Sequence, residues 1–146
     1  MLPGSYPVPM GTPLEPLGRL IKQVQWKHHR ALDSRMRAHG ATLVQWDALR
    51  AIHDEPGSTA RQLAAATFQS EQSFGVMAAR MEANGLITRT PGAGRRIEHH
   101  LASDGEHLLH VGRNATRDVF TSSLGVLADA ERAHLHDLLT RVYEAP

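Results

Sequence analysis

The sequence predicts a mainly α-helical chain in which a helix-turn-helix is followed by a small β-hairpin. Three observations predict it. Apolar residues recur at three- and four-residue steps over most of the 146 residues, Ser/Thr-x-x-Glu/Gln boxes mark several helix starts, and the helical period breaks only around residues 86–101, beside a Pro-Gly-rich stretch. At this length the chain is read as one compact domain or one intertwined subunit.

The first helix follows from Thr12-Pro13-Leu14-Glu15, read as a Thr N-cap, Pro at the first helical position and Glu closing a capping box. Leu14, Leu17, Ile21, Val24, His28, Leu32 and Met36 then form one stripe, and His39-Gly40 supplies the stop. Thr42-x-x-Gln45 opens a short second helix with Leu43, Trp46, Leu49, Arg50 and His53 near one face, ended at Asp54-Glu55-Pro56-Gly57. Ser58-Thr59-x-x-Gln62 caps a third helix, whose Ala60, Leu63, Ala64 and Thr67 share a face. After a break at residues 67–70, Ser70 caps a fourth helix with Phe74, Met77, Ala78 and Met81 as its core stripe and Asn84-Gly85 as its end. Two short helices with a tight break make a helix-turn-helix.

Residues 86–90 and 97–101 each read as a short strand, and Pro91-Gly92-Ala93-Gly94-Arg95-Arg96 between them as a basic hairpin tip. Ser103-Asp104-Gly105-Glu106 is read as a further capping box, opening a helix through Leu108, Leu109, Val111, Ala115 and Val119. Asp129, Glu131 and Arg132 open a last helix on which Leu135, Leu138, Leu139 and Val142 are expected to be buried.

Composition excludes several chemistries. With no cysteine, disulfides, thiolate metal sites, a Cys nucleophile and a thiol redox switch are ruled out. There is no P-loop pattern and no Gly-x-Ser-x-Gly elbow, so no enzyme is expected. No run approaches the roughly 20 apolar residues of a membrane span, and Met1 to Gly11 lacks a leader pattern, so a cytoplasmic chain without membrane association is expected. Net charge is only +1, distributed as +4 over residues 1–41, −1 over 42–104 and −2 over 105–146. Any grip on a polyanion must therefore come from clustered positions.

The stretch Thr59-Ala60-Arg61-Gln62-Leu63-Ala64, the capped helix from Ser70 to Arg80, Met81-Glu82-Ala83-Asn84-Gly85-Leu86-Ile87-Thr88-Arg89 and Leu101-Ala102-Ser103-Asp104-Gly105 together resemble the MarR family of winged-helix transcriptional regulators. The resemblance covers about Leu14 to Val142 and implies a winged helix-turn-helix lobe over residues 42–102, with dimerisation helices over 12–39 and 104–143 of a single subunit. It implies a homodimer on a palindromic operator in double-stranded DNA, most simply a ligand-responsive repressor. By position, Thr59, Arg61, Ser70, Gln72, Ser73, Gly75, Val76 and Arg80 then face DNA, with Arg95 as the wing arginine and Arg96 beside it. The family's usual Asp two residues before that arginine is Ala93 here, so the ion pair that braces the wing cannot form. The recognition helix also has no basic residue before Arg80 and begins with Glu71.

The resemblance further implies a small effector, with no cofactor required, where the long helices meet the lobe. Trp26, His28, His29, Trp46, Arg50, His53, His107, His110 and Arg113 are the positional candidates, suited to an anionic aromatic ligand. Core packing is the competing and favoured reading for both tryptophans. The ten histidines raise two alternatives: a zinc site of His107 and His110 with His28 or His53 and Glu106 or Asp104, or a pH response. Surface or capping histidines are preferred, so no metal is expected. A winged helix used for protein contact instead of DNA is the remaining alternative, and salt dependence separates it from DNA binding.

Overall fold

The computed structural model describes Gly11 and residues 13–146. Six helices and one hairpin follow in the order α1 (Leu14–Arg37), α2 (Leu43–Asp54), α3 (Ala60–Ala66), α4 (Glu71–Ala83), β1 (Ile87–Pro91), β2 (Ile97–Leu101), α5 (Ser103–Leu124) and α6 (Asp129–Glu144). The fold is a winged helix carried on long helices.

Local chemistry accounts for most boundaries. Thr42 and Thr59 each accept the backbone N–H of the Gln three residues on, and that Gln side chain accepts the cap residue's own N–H. Ser70 Oγ accepts the Ser73 N–H at 3.1 Å to start α4. The Thr12 cap lies outside the described residues, and α1 begins one residue later than the sequence suggests, with Pro13 flanking it. Ser103 is not a cap either. Ala102 holds that place, because its N–H bonds Leu86 O at 3.0 Å and turns the chain directly from β2 into α5.

Asp33 supplies a cap that the chain pattern does not reveal. Its carboxylate accepts the Leu43 N–H at 2.9 Å, at the first turn of α2, and Arg37 Nε at 2.7 Å on its own helix. These bonds, the backbone one first, hold the Asp33 carboxyl below the usual carboxylate range.

The core gathers the last turns of α1 (Leu32, Met36), the inner face of α2 (Trp46, Ala48, Leu49, Ile52), Leu63 and Ala64 of α3, Phe74, Ala78 and Met81 of α4, Ile87 of β1, and Leu108, Leu109 and Ala115 of α5. On α2 the buried face also takes Gln45, while Arg50 and His53 turn to solvent, a correction to the face expected from spacing. Gly112 sets how closely α5 lies on α2: a Cβ there would stand 1.9 Å from Trp46 Nε1. The indole N–H donates to Leu109 O at 3.3 Å, so the ring is both packed and satisfied.

The hairpin pairs antiparallel from Ile87 opposite Leu101 to Pro91 opposite Ile97. Ser58 pairs with the other edge of β2 at His99, which ties the approach to α3 into the wing. His99 is 2% exposed, its Nδ1–H donates to Ser58 O at 2.8 Å, and its ring meets Phe74 edge-on at 5.6 Å. Expected at the surface, this histidine is instead buried, because its alternate position on β2 faces the core.

The long helices contrast with the lobe. Leu14, Leu17, Leu20, Ile21 and Val24 on α1, and Leu138, Leu139 and Val142 on α6, are all exposed. The burial expected for the α6 leucines does not occur within this chain, since α6 buries no residue and touches the rest of the described chain only marginally.

Two measurements check this account. Gly112→Ala must displace the indole, so chemical denaturation should show a loss of about 1–3 kcal/mol. His99 is held neutral chiefly by burial, which pushes its pKa below the ordinary value of about 6.5. The unfolded chain therefore binds the extra proton, and stability is full above that value and falls as pH drops through it toward the folded value. Melting temperature should decline between pH 8 and 5.5, and less steeply in His99→Asn, whose amide replaces the Nδ1–H donor.

Candidate nucleic-acid interface

α3 and α4 cross as a helix-turn-helix, and their outward surfaces carry the polar residues that the sequence singles out. On α4, Gln72, Val76 and Arg80 follow one another at four-residue steps and so share a face, with Ser73 beside them. All four are exposed, and Gly75 between them is half-buried with open space where a Cβ would be. Thr59 is half-buried as the cap of α3, Arg61 is exposed in its first turn, and Ser70 is exposed at the start of α4. Arg95 and Arg96 stand exposed at the hairpin tip. This surface presents donors for bases, an apolar contact and four guanidinium groups.

Glu71, the acid at the start of α4, lies 4.0 Å from Arg61 Nε across the turn. Both are open to water, so the attraction is weak. It nonetheless directs the carboxylate toward α3 rather than straight off the end of α4.

The wing is braced at its base. Glu82 of α4 accepts the Arg89 N–H at 3.1 Å and the Arg89 guanidinium at 3.0 Å, so one carboxylate fixes both the backbone and the side chain of β1. The Arg89 hydrogen bond holds the Glu82 carboxyl below the usual range. Together with the Ser58 bridge, this does at the foot of the hairpin what the missing acid at Ala93 cannot do at its tip. At the tip itself, Gly92 N–H donates to Arg96 O at 2.8 Å.

A family model described as the MarR family matches residues 39–96, the segment that runs from the end of α1 to the wing tip. The whole architecture matches too. A probable transcriptional regulator from Pseudomonas aeruginosa is 25% identical over 86% of this chain and 96% of that one, with a TM-score of 0.75. The chain is thus similar to the MarR family, in sequence over residues 39–96 and in fold over most of its length.

Two further solved structures are similar in fold. A MarR variant from E. coli, solved in complex with operator DNA, is 24% identical over 87% of this chain and 93% of its own, with a TM-score of 0.78. Bordetella bronchiseptica BpsR, whose DNA binding is regulated by 6-hydroxynicotinic acid, is 21% identical over 88% and 99%, again with a TM-score of 0.78. No curated protein sequence matches the chain.

The effector candidates do not form one pocket. Trp46 is 5% exposed and belongs to the core, because Gly112 admits its ring beneath α5. Trp26 is 56% exposed and stacks on His29 at 5.3 Å along the outside of α1. His53 Nδ1 lies 3.4 Å from the Arg113 guanidinium, and Arg50 is 3.7 Å from Asp54 on the same side of α2. His107 and His110 are exposed on α5. His28 bonds Ser123 Oγ at 2.6 Å and borders a cleft of about 300 Å³ between α1 and α5, with Lys27, Arg35, Asp118, Val119 and Ser122. Among the described residues no three His, Asp or Glu side chains come together. No described helix is long and apolar enough to cross a membrane.

Sequence reading missed Asp33, Glu82 with Arg89, and the Ser58 bridge to His99. None of these pairs has a helical spacing that marks it. Removing the brace should be visible directly: in Glu82→Ala, amide exchange at Arg89 and its hairpin neighbours should quicken roughly three- to tenfold while the core amides of α2 stay unchanged. Hydrogen exchange read by NMR or mass spectrometry makes that comparison.

Proposed function

We propose that this protein is a MarR-family regulator: a sequence-specific DNA-binding transcriptional regulator, most simply a repressor, that acts as a homodimer on a palindromic operator. One observation carries the reading. The start of α4 exposes Gln72, Ser73 and Val76 on one surface, and the hairpin that follows exposes Arg95 and Arg96. Gln pairs with adenine through two hydrogen bonds, Ser donates to base or phosphate, and Val meets a thymine methyl, so these side chains suit a major groove. Arginines at a wing tip suit phosphate or the adjacent minor groove. Thr59, Arg61, Ser70 and Arg80 add backbone donors and charge for phosphates on either side.

The homodimer is supported by what the chain leaves uncovered. α6 has 16 residues and buries none of them, and an isolated helix of that length is marginal in water. Its exposed leucines and the exposed stripe of α1 are supplied at the two ends of the same sequence, and a second copy can cover both pairs by twofold symmetry. Two lobes held this way present two reading helices, which a palindrome matches.

Effector control belongs to the same reading. The cleft between α1 and α5 has the volume of a small ligand site; with Arg35 paired to Asp118 at 3.5 Å, Lys27 and His28 are the groups that suit an anionic aromatic molecule. A ligand there would act only through its unequal affinity for lobe spacings that fit or misfit DNA.

Fluorescence anisotropy tests the whole reading, using a duplex selected by the protein from a random library and a scrambled control at several salt concentrations, with the mass of the free protein from sedimentation. Dimer mass and specific, salt-sensitive binding are expected. Arg95→Ala should weaken both duplexes by a similar factor and reduce the salt slope by about one, whereas Gln72→Ala should change which bases are preferred. If neither variant alters DNA affinity, the lobe has another use.

A further inference from the structure

The turn between α3 and α4 holds a residue that its conformation does not suit. α3 ends in a Schellman motif: the Phe68 N–H bonds Ala65 O at 3.3 Å and the Gln69 N–H bonds Ala64 O at 2.8 Å. The residue between those two bonds must be left-handed, and Phe68 has φ +56°. Every other described residue with positive φ is glycine, including Gly40 and Gly85 at the ends of α1 and α4. A bulky side chain at such an angle is strained, since its Cβ crowds the backbone.

Packing gives nothing back. Phe68 is 96% exposed, more than any other large apolar side chain of the described chain. Its neighbour Gln69 is turned inward, with Nε2 2.9 Å from Thr67 Oγ1, so the turn is closed without the ring. Thr67 Oγ1 in turn donates to Leu63 O at 2.7 Å. The ring therefore adds strain and exposed apolar area to a lobe whose core is already complete.

Its position gives it a use. Phe68 lies two residues before Ser70, so its Cα is within about 7.6 Å of the start of α4 by chain length alone. Any surface that receives the N-terminal turn of α4 comes within reach of the ring. Gln72 and Ser73 supply the hydrogen bonds there, and Arg61 is the charge on the adjoining helix.

We propose that Phe68 is a DNA-contacting residue at the edge of the recognition surface, seated against an apolar part of the duplex, a thymine methyl or the face of a deoxyribose, where α4 enters the major groove. The proposal rests on the DNA-binding reading above. It assigns to the turn a contact that carries no charge and so acts alongside the arginines without changing the salt dependence.

The test compares Phe68→Gly and Phe68→Leu with the wild type on the selected duplex, in anisotropy titrations across salt and in thermal melts at one protein concentration. Phe68→Gly relieves the strain and removes the ring. Its melting temperature should be unchanged or higher, its affinity should fall about tenfold, and its salt slope should match the wild type. Phe68→Leu keeps an apolar side chain and should recover most of that loss.

Replacing thymines one at a time by deoxyuridine separates the two contacts. A position that matters to the wild type and not to Phe68→Gly identifies a methyl, whereas the same tenfold loss with no such position identifies the sugar. Equal affinity of Phe68→Gly and wild type overturns the proposal and leaves the DNA reading intact. A lowered melting temperature also overturns it, because the ring would then be serving the fold. If the wild type selects no duplex and shows no salt-dependent binding, the DNA reading itself fails, and the assignment of Phe68 fails with it.

Discussion

Trp46 sits where the winged lobe meets the long helices, and its indole fits there only because Gly112 brings no Cβ between α2 and α5. The ring fills the contact while its N–H is satisfied by Leu109 O, so a large side chain is buried without stranding a polar atom. Gly105 repeats the device one end of α5 earlier, where a Cβ would meet Leu86 O at 2.0 Å. Between them these two glycines seat α5 on both α2 and the chain entering the wing. The lobe and the stem are thereby one packed body, and a change in α5 has a direct mechanical route to the residues that carry the recognition helix.

Charge in the lobe is arranged by position rather than amount. Residues 42–104 are slightly acidic as a whole, yet four of their acids lie beside arginines, Asp47 and Asp54 by Arg50, Glu71 by Arg61 and Glu82 by Arg89. The wing arginines are left exposed at the tip. With so little net charge, non-specific attraction to DNA is modest, and the proposed recognition leans on neutral contacts from Gln72, Ser73, Val76 and Phe68. Those among them that meet base edges discriminate sequences, whereas contacts to phosphate and sugar position the protein.

The stem has the opposite economy. Aliphatic side chains on α1 and α6 stand open to solvent over lengths that no other described element covers, whereas the lobe buries its own. In the proposed homodimer a second copy would resolve this, at the cost of making head spacing a property of the pair. The same cost makes regulation simple, since a ligand in the α1–α5 cleft would need only to favour one spacing over another.

Helix existence and type were legible in the sequence wherever a mechanism was local. The Thr42, Thr59 and Ser70 caps and the Gly40 and Gly85 stops each act within about four residues, so spacing alone exposes them. The exposed face of the recognition helix and the basic hairpin tip were legible for the same reason. The fold followed from their order, and with it the family resemblance. What the tertiary structure decided were the contacts between distant residues: Asp33 on Leu43, Ser58 on His99, Glu82 on Arg89, Trp46 under Gly112. It also decided where amphipathic stripes end up. The leucines of α6 have the spacing of buried residues but nothing among the described residues to bury them, and Trp46 has the size of a ligand wall but lies in the core. Periodicity records that a face is apolar, and only the packed chain determines what that face meets.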